Sequence, residues 1–139
     1  MSISISLKEL NQSYQELKRL CEQDMPKGKG QTARRLSRIK RTADTAIENW
    51  NDDQKKIARA HGLIISGVQV RALKEGELVT PEQFEAFELE CRGVLESPEE
   101  AVTFRGEPFT DAEWSEIEPA LNISPEMLNR LVWLIPDSE

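Results

Sequence analysis

Histidine is almost missing from this chain, cysteine is scarce, and long apolar runs are absent. Its 139 residues include one histidine, two cysteines and one tyrosine. A single histidine excludes two-histidine metal sites, and no Cys-x-x-Cys pair stands ready for zinc. No metal or other cofactor is therefore expected. Two cysteines make no disulfide framework, so the expected setting is the reducing cytosol. No apolar run approaches the roughly 20 residues of a membrane helix, so no membrane partner is expected. The opening MSISISLKEL has neither the basic start nor the long apolar stretch of a secretory signal.

What is present is charge. Charged residues are 31% of the chain against 38% hydrophobic, polar for a globule yet apolar enough to bury a core. The net charge of -7 is split unevenly. Residues 1–62 carry thirteen Lys/Arg and eight Asp/Glu, a balance of +5. Residues 63–139 carry five Lys/Arg and seventeen Asp/Glu, a balance of -12. Two surfaces for different partners would explain the split, and so would attraction between the halves, within one chain or between copies.

Alternation in Ser2–Leu7 predicts a short strand with Ile3 and Ile5 on one face. Ser6 with Glu9 three residues on predicts a helix start. Leu7, Leu10, Tyr14, Leu17 and Cys21 then make a heptad seam, and the helix is expected over 7–25. Pro26, Gly28 and Gly30 predict a turn. A second stripe, Leu36, Ile39, Ala43, Ala46, Trp50 and Ile57, predicts one long helix over 31–61, capped by His61 and Gly62. A short turn makes the pair antiparallel, with Trp50 near Leu7 and the last ~11 residues overhanging. That overhang is expected to pack on the C-terminal half. Beyond Gly62, strands are expected at 67–72 and 101–104. Helices are expected from Thr80-Pro81, Thr110 and Ser124-Pro125, the last running through Leu131-Val-Trp-Leu-Ile135 up to Pro136. The fold class is α+β, mainly α: a long antiparallel helical hairpin (1–62) joined to a small acidic C-terminal part (63–139). That part carries one short sheet of two or three strands, and the two parts read as one continuous fold.

The sharpest local feature is the segment 27–41. Lys27, Lys29, Arg34, Arg35, Arg38, Lys40 and Arg41 fall there with no acid among them. Arg34, Arg38 and Arg41 share one helix face while Leu36 and Ile39 point to the seam. Cations near a helix start oppose its macrodipole at about 0.3–1 kcal/mol each when exposed, so the arrangement invites a function. Nucleic acid, an acidic protein surface, or plain solvation would each account for it. No aromatic is interleaved there, which disfavours stacking on single strands. Gly28-Lys-Gly-Gln-Thr32 lacks the spacing of a phosphate loop and follows a helix rather than a strand. Carboxylates crowd the other half: Glu85, Glu88, Glu99, Glu100, Asp111, Glu113 and Glu116. None has calcium-loop spacing. They read as a solvated face, or as a docking face for a basic partner, mimicry of nucleic acid included. Cys21 and Cys91 lie on apolar stripes and read as buried, inert thiols rather than nucleophiles. Trp133 reads as core, or else as an interface anchor.

The order of these elements resembles a group of small phage and prophage proteins of uncharacterised function. The matching pieces are Ile3–Leu7, the hairpin 7–61, Gly62, Phe84–Leu95, Val102–Phe109 and Ile123–Ile135. The resemblance implies no catalytic residue and a phage-encoded protein that works by binding. The expected function is thus a non-catalytic protein-binding factor, either a virion or tail assembly component or an inhibitor of a host defence complex. Its partner is another protein, from host or phage, and the heptad stripes also fit association of copies. The alternative is a nucleic-acid-binding module acting through residues 27–41.

Overall fold

The computed structural model describes residues 3–135. The order along the chain is β1 (Ile3–Ile5), α1 (Leu7–Cys21), α2 (Gly30–Ala60), β2 (Leu63–Ser66), β3 (Gln69–Ala72), α3 (Pro81–Glu96), β4 (Val102–Phe104), α4 (Asp111–Ile117) and α5 (Pro125–Arg130). Single 3-10 turns lie at Pro98–Glu100 and Glu118–Ala120. The mainly helical α+β class is as the pattern predicts.

Local cap chemistry starts each helix but one. Ser6 Oγ accepts from the Glu9 amide at 3.1 Å. Thr80 and Gln83, and Thr110 and Glu113, form complete reciprocal boxes, and Ser124 accepts from the Met127 amide. The exception is α2, where Lys29 at the cap position makes no side-chain cap bond. Helix α1 stops at Cys21 rather than running to residue 25. Gln23 holds Asn122 at two points, donating from Nε2 to its carbonyl (2.8 Å) and accepting from its amide (2.6 Å). That clamp, with Pro26 disfavouring helix at Met25, draws the chain out of the helix.

Contacts between α1 and α2 run in opposite directions along the two helices. Leu7 shares a cluster with Trp50, Tyr14 donates its hydroxyl to Asp44, and Cys21 Sγ lies 3.8 Å from the Leu36 carbonyl. The far end of α2 overhangs as its length requires. Ala58 there packs with Leu63, Phe87 and Cys91 in one apolar cluster. The larger cluster takes Leu10, Leu17, Leu20, Leu36, Ile39 and Ala43 from the hairpin. Ile3 and Ile5 of β1 belong to it, and Phe104, Phe109, Trp114, Leu131, Trp133 and Leu134 are among its members from beyond residue 62.

Two expectations about strands are corrected. Instead of one sheet there are two antiparallel pairs, β1 with β4 (Ile3 opposite Phe104) and β2 with β3 (Leu63 opposite Ala72). The strand expected over 67–72 begins at Gln69. Gly67, at φ +62°, and Val68 form the two-residue hairpin turn, and Leu63–Ser66 is the partner strand. The last helix is also shorter than expected. It ends at Arg130, and Leu131–Ile135 continue in turns, the amides of Leu134 and Ile135 both donating to the Leu131 carbonyl. A helix would spread five consecutive apolar side chains over every face. The turns bury four of them and expose only Val132. Trp133 is core: it stacks on Phe104 at 5.2 Å and donates from Nε1 to Ser13 Oγ at 3.1 Å. Ser2 and Pro136 lie outside the described residues.

Candidate functional site

The basic segment and the acidic half meet inside the chain. Arg35 turns inward, donating from Nη2 to Glu113 Oε2 at 3.0 Å, with its guanidinium 4.6 Å from the centre of the Phe109 ring. Lys29 pairs with Glu116. Glu113 does two jobs, because its Oε1 accepts from the Thr110 amide (3.0 Å) and starts α4. Through this one carboxylate the first turn of α4 is fixed against α2. Attraction between the halves therefore accounts for Lys29, Arg35, Glu113 and Glu116.

Of the remaining cations of the segment, all but Lys40 are without an ion pair among the described residues. Arg34, Arg38 and Arg41 are exposed on the outer face of α2, and Lys27 is exposed in the preceding turn. None of the four forms an ion pair among the described residues. Lys40 lies on another side of α2 and binds Asp44 Oδ2 at 2.9 Å. Asp44 in turn pushes the Tyr14 hydroxyl up to about 12, chiefly by accepting its hydrogen bond and secondarily through burial. Gln31, Thr32, Arg34, Arg35, Arg38 and Glu113 line a concavity of about 380 Å³.

The other acids do not converge. Glu85 and Glu88 are exposed on α3, Glu99 and Glu100 on the 3-10 turn that follows it, and Asp111 at the start of α4. Glu88 lies on the rim of a groove of about 430 Å³ floored by Phe84, Phe87, Cys91 and Leu95. A salt bridge from Lys8 to Glu96 (3.2 Å) marks that groove's edge. Among the described residues no group of three or more His, Cys, Asp or Glu could hold a metal ion. No helix among them is long and apolar enough to cross a membrane. Burial pushes the Cys21 thiol up to about 11 and raises Cys91 as well, so neither is poised as a thiolate. Cys21 is half-buried rather than fully buried. His61 caps α2, lies 3.5 Å from Glu90 and accepts from Gln83 Nε2 at its carbonyl (2.7 Å).

No family model, curated protein or solved structure matches this chain. Its surfaces are therefore read from their own geometry.

One surface has no counterpart among the sequence expectations. Residues 63–79, the β2–β3 hairpin and the loop returning from it, form an arm whose inner face joins the cluster around Phe87 through Leu63, Ile65, Val70 and Val79. Its outer face is apolar and uncovered. Val68 and Leu78 are almost fully exposed, and Ile64 and Leu73 are 38% and 49% exposed. Ile64, Leu73 and Leu78 share a concavity of about 640 Å³. The residue pattern hid this surface, because the helix-ending His61-Gly62 runs straight into Leu63-Ile-Ile and residues 73–79 have no period.

The Arg35–Glu113 contact has a pH signature. The Thr110 backbone, followed by Arg35, holds the Glu113 carboxyl below its usual 4.5. A carboxyl lowered by folding stabilises the fold above its unfolded value. That stability is lost as pH falls through the folded value. Thermal melts from neutral pH into the acid range should therefore show α4 loosening from the carboxylate range downward. Glu113→Gln keeps an acceptor for the Thr110 amide but loses the ion pair, so its acid slope should be shallower than that of the wild type. Equal slopes would remove Glu113 as the titrating group.

Proposed function

We propose that the protein is a non-catalytic binding factor that contacts another protein through the arm at residues 63–79. The observation supporting this reading is the uncovered apolar face formed by Ile64, Val68, Leu73 and Leu78. Scattered apolar side chains on a surface need no explanation, and the grouping of three in one concavity is what supports a contact here. The complementary partner offers an aliphatic or aromatic side chain to that concavity, and Arg71, Lys74, Glu75 and Glu77 supply the polar rim. The proposal includes a phage setting, as a virion or tail assembly component or an inhibitor of a host defence complex.

The full chain, immobilised with nuclease present and washed in rising salt, tests this reading. A defined protein should be retained by the wild type and lost from the double variant Leu73→Glu/Leu78→Glu. Both side chains are exposed, so the variant should keep the wild-type melting curve. Retention of the same protein by the variant would overturn the assignment of the arm.

A further inference from the structure

We propose that the outer face of α2 carries a second site, one that holds the phosphate backbone of a double-stranded nucleic acid. The face is a row of Gln31, Arg34, Arg38, Arg41 and Thr45, all exposed. Their spacing of three or four residues sets them in one line on the helix. At about 1.5 Å per residue the line is about 21 Å long. Every member is a hydrogen-bond donor and three are permanently charged. Arg34, Arg38 and Arg41 have no ion pair among the described residues, so their donors are free for a ligand. The arrangement opposes the α2 dipole, and no acid or side-chain cap relieves it in the first turn.

Shape extends the row. The concavity lined by Gln31, Arg34 and Arg38 lies toward one end, and a second of about 460 Å³ has Arg41 and Thr45 on its wall. Arg35 belongs to the first, with its guanidinium fixed by Glu113 and Phe109. Glu113 lines the first concavity as well, and the other nearby carboxylates bound the site rather than fill it. Glu113 is engaged with Arg35, Asp44 with Tyr14 and Lys40, and exposed Glu48 marks the end of the row beyond Thr45.

Composition chooses among polyanions. Protein interfaces have an apolar core, whereas interfaces with nucleic acid are more polar and strongly positive. The row itself contains no apolar side chain, and the second concavity beside it adds Ala46 and Val102, two small side chains that fall short of the apolar core of a protein interface. The row contains no aromatic, so splayed bases of a single strand would find nothing to stack on. Charged and amide donors spaced along a straight rod fit backbone phosphates, which position a duplex without reading its sequence. This site is separate from the arm and stands or falls independently of it.

Three arginine–phosphate contacts give a log–log salt slope of about -2.7, so affinity should fall about forty-fold between about 50 and about 200 mM salt. Fluorescence anisotropy of the full chain tests this, with labelled duplex DNA and duplex RNA of mixed sequence, single strands, and poly-glutamate as probes. Arg34→Ala, Arg38→Ala and Arg41→Ala should each weaken duplex binding alike for every sequence and reduce the slope by about 0.9. Leu73→Glu/Leu78→Glu should leave duplex binding unchanged. The proposal is overturned by no duplex binding at low salt, by binding that survives the triple alanine variant, or by tighter binding of poly-glutamate or single strands.

Discussion

Trp133→Ala should lower the free energy of unfolding by about 3–5 kcal/mol, a large share of the about 5–15 kcal/mol typical of a domain. The indole is buried against Phe104 on β4 and Ser13 on α1, so its removal opens a cavity where strand, hairpin and C-terminal turns meet. The lost hydrogen bond is the smaller part. Ser13 Oγ still donates to the Glu9 carbonyl at 2.8 Å, so its proton keeps an acceptor. Trp133→Phe separates the two contributions. It keeps a ring over Phe104 and should cost about 1 kcal/mol for the bond, plus a small volume term. Urea denaturation followed by circular dichroism gives both values. A loss below about 1 kcal/mol for the alanine variant would mean that Leu131–Ile135 are not part of the core.

Phe87→Ala should cost a comparable amount, again about 3–5 kcal/mol, but distribute it differently. Phe87 joins α3 to the overhanging end of α2, packing with Ala58, Leu63 and Cys91 and meeting the His61 ring edge-on at 6.5 Å. Its cluster is distinct from the one around Trp133, although Val102 touches both. Local opening follows such units. Hydrogen exchange should therefore show protection lost over residues 63–72 and 81–96, with residues 7–21 and 30–47 keeping theirs. Trp133→Ala should instead weaken every segment. Uniform loss in the Phe87 variant would mean that the two clusters open as one.

The parts of this fold that could be read beforehand are those governed by neighbours in sequence. Ser6, Thr80, Thr110 and Ser124 start helices because a cap bond reaches three residues. Trp50 lies by Leu7 because helix rise and a short turn leave it nowhere else. The misread parts depend on distant residues. Nothing near Gln23 announces that Asn122 will end α1. Leu131–Ile135 has no period, so only Phe104 and Ser13 decide that it turns instead of coiling. The charge split announced attraction between the halves, yet pairing Arg35 with Glu113 rather than leaving it beside Arg34 depends on Phe109 being positioned behind it. The free arginine row was legible because helix spacing alone places it. The apolar arm was not, because exposure of Leu73 and Leu78 is a property of what fails to cover them.

Helix α2 runs unbroken for 31 residues, about 46 Å, and both proposed surfaces hang from it. From Arg38 to Ala60, the helix end from which the arm follows, the distance along the axis is about 33 Å. That is close to ten base steps of a duplex at about 3.4 Å each. With both surfaces occupied, α2 would act as a gauge rod, holding a protein at a set offset from the nucleic acid and at a set angular bearing. The bearing is quantised, because each residue added to a helix turns whatever follows by about 100°.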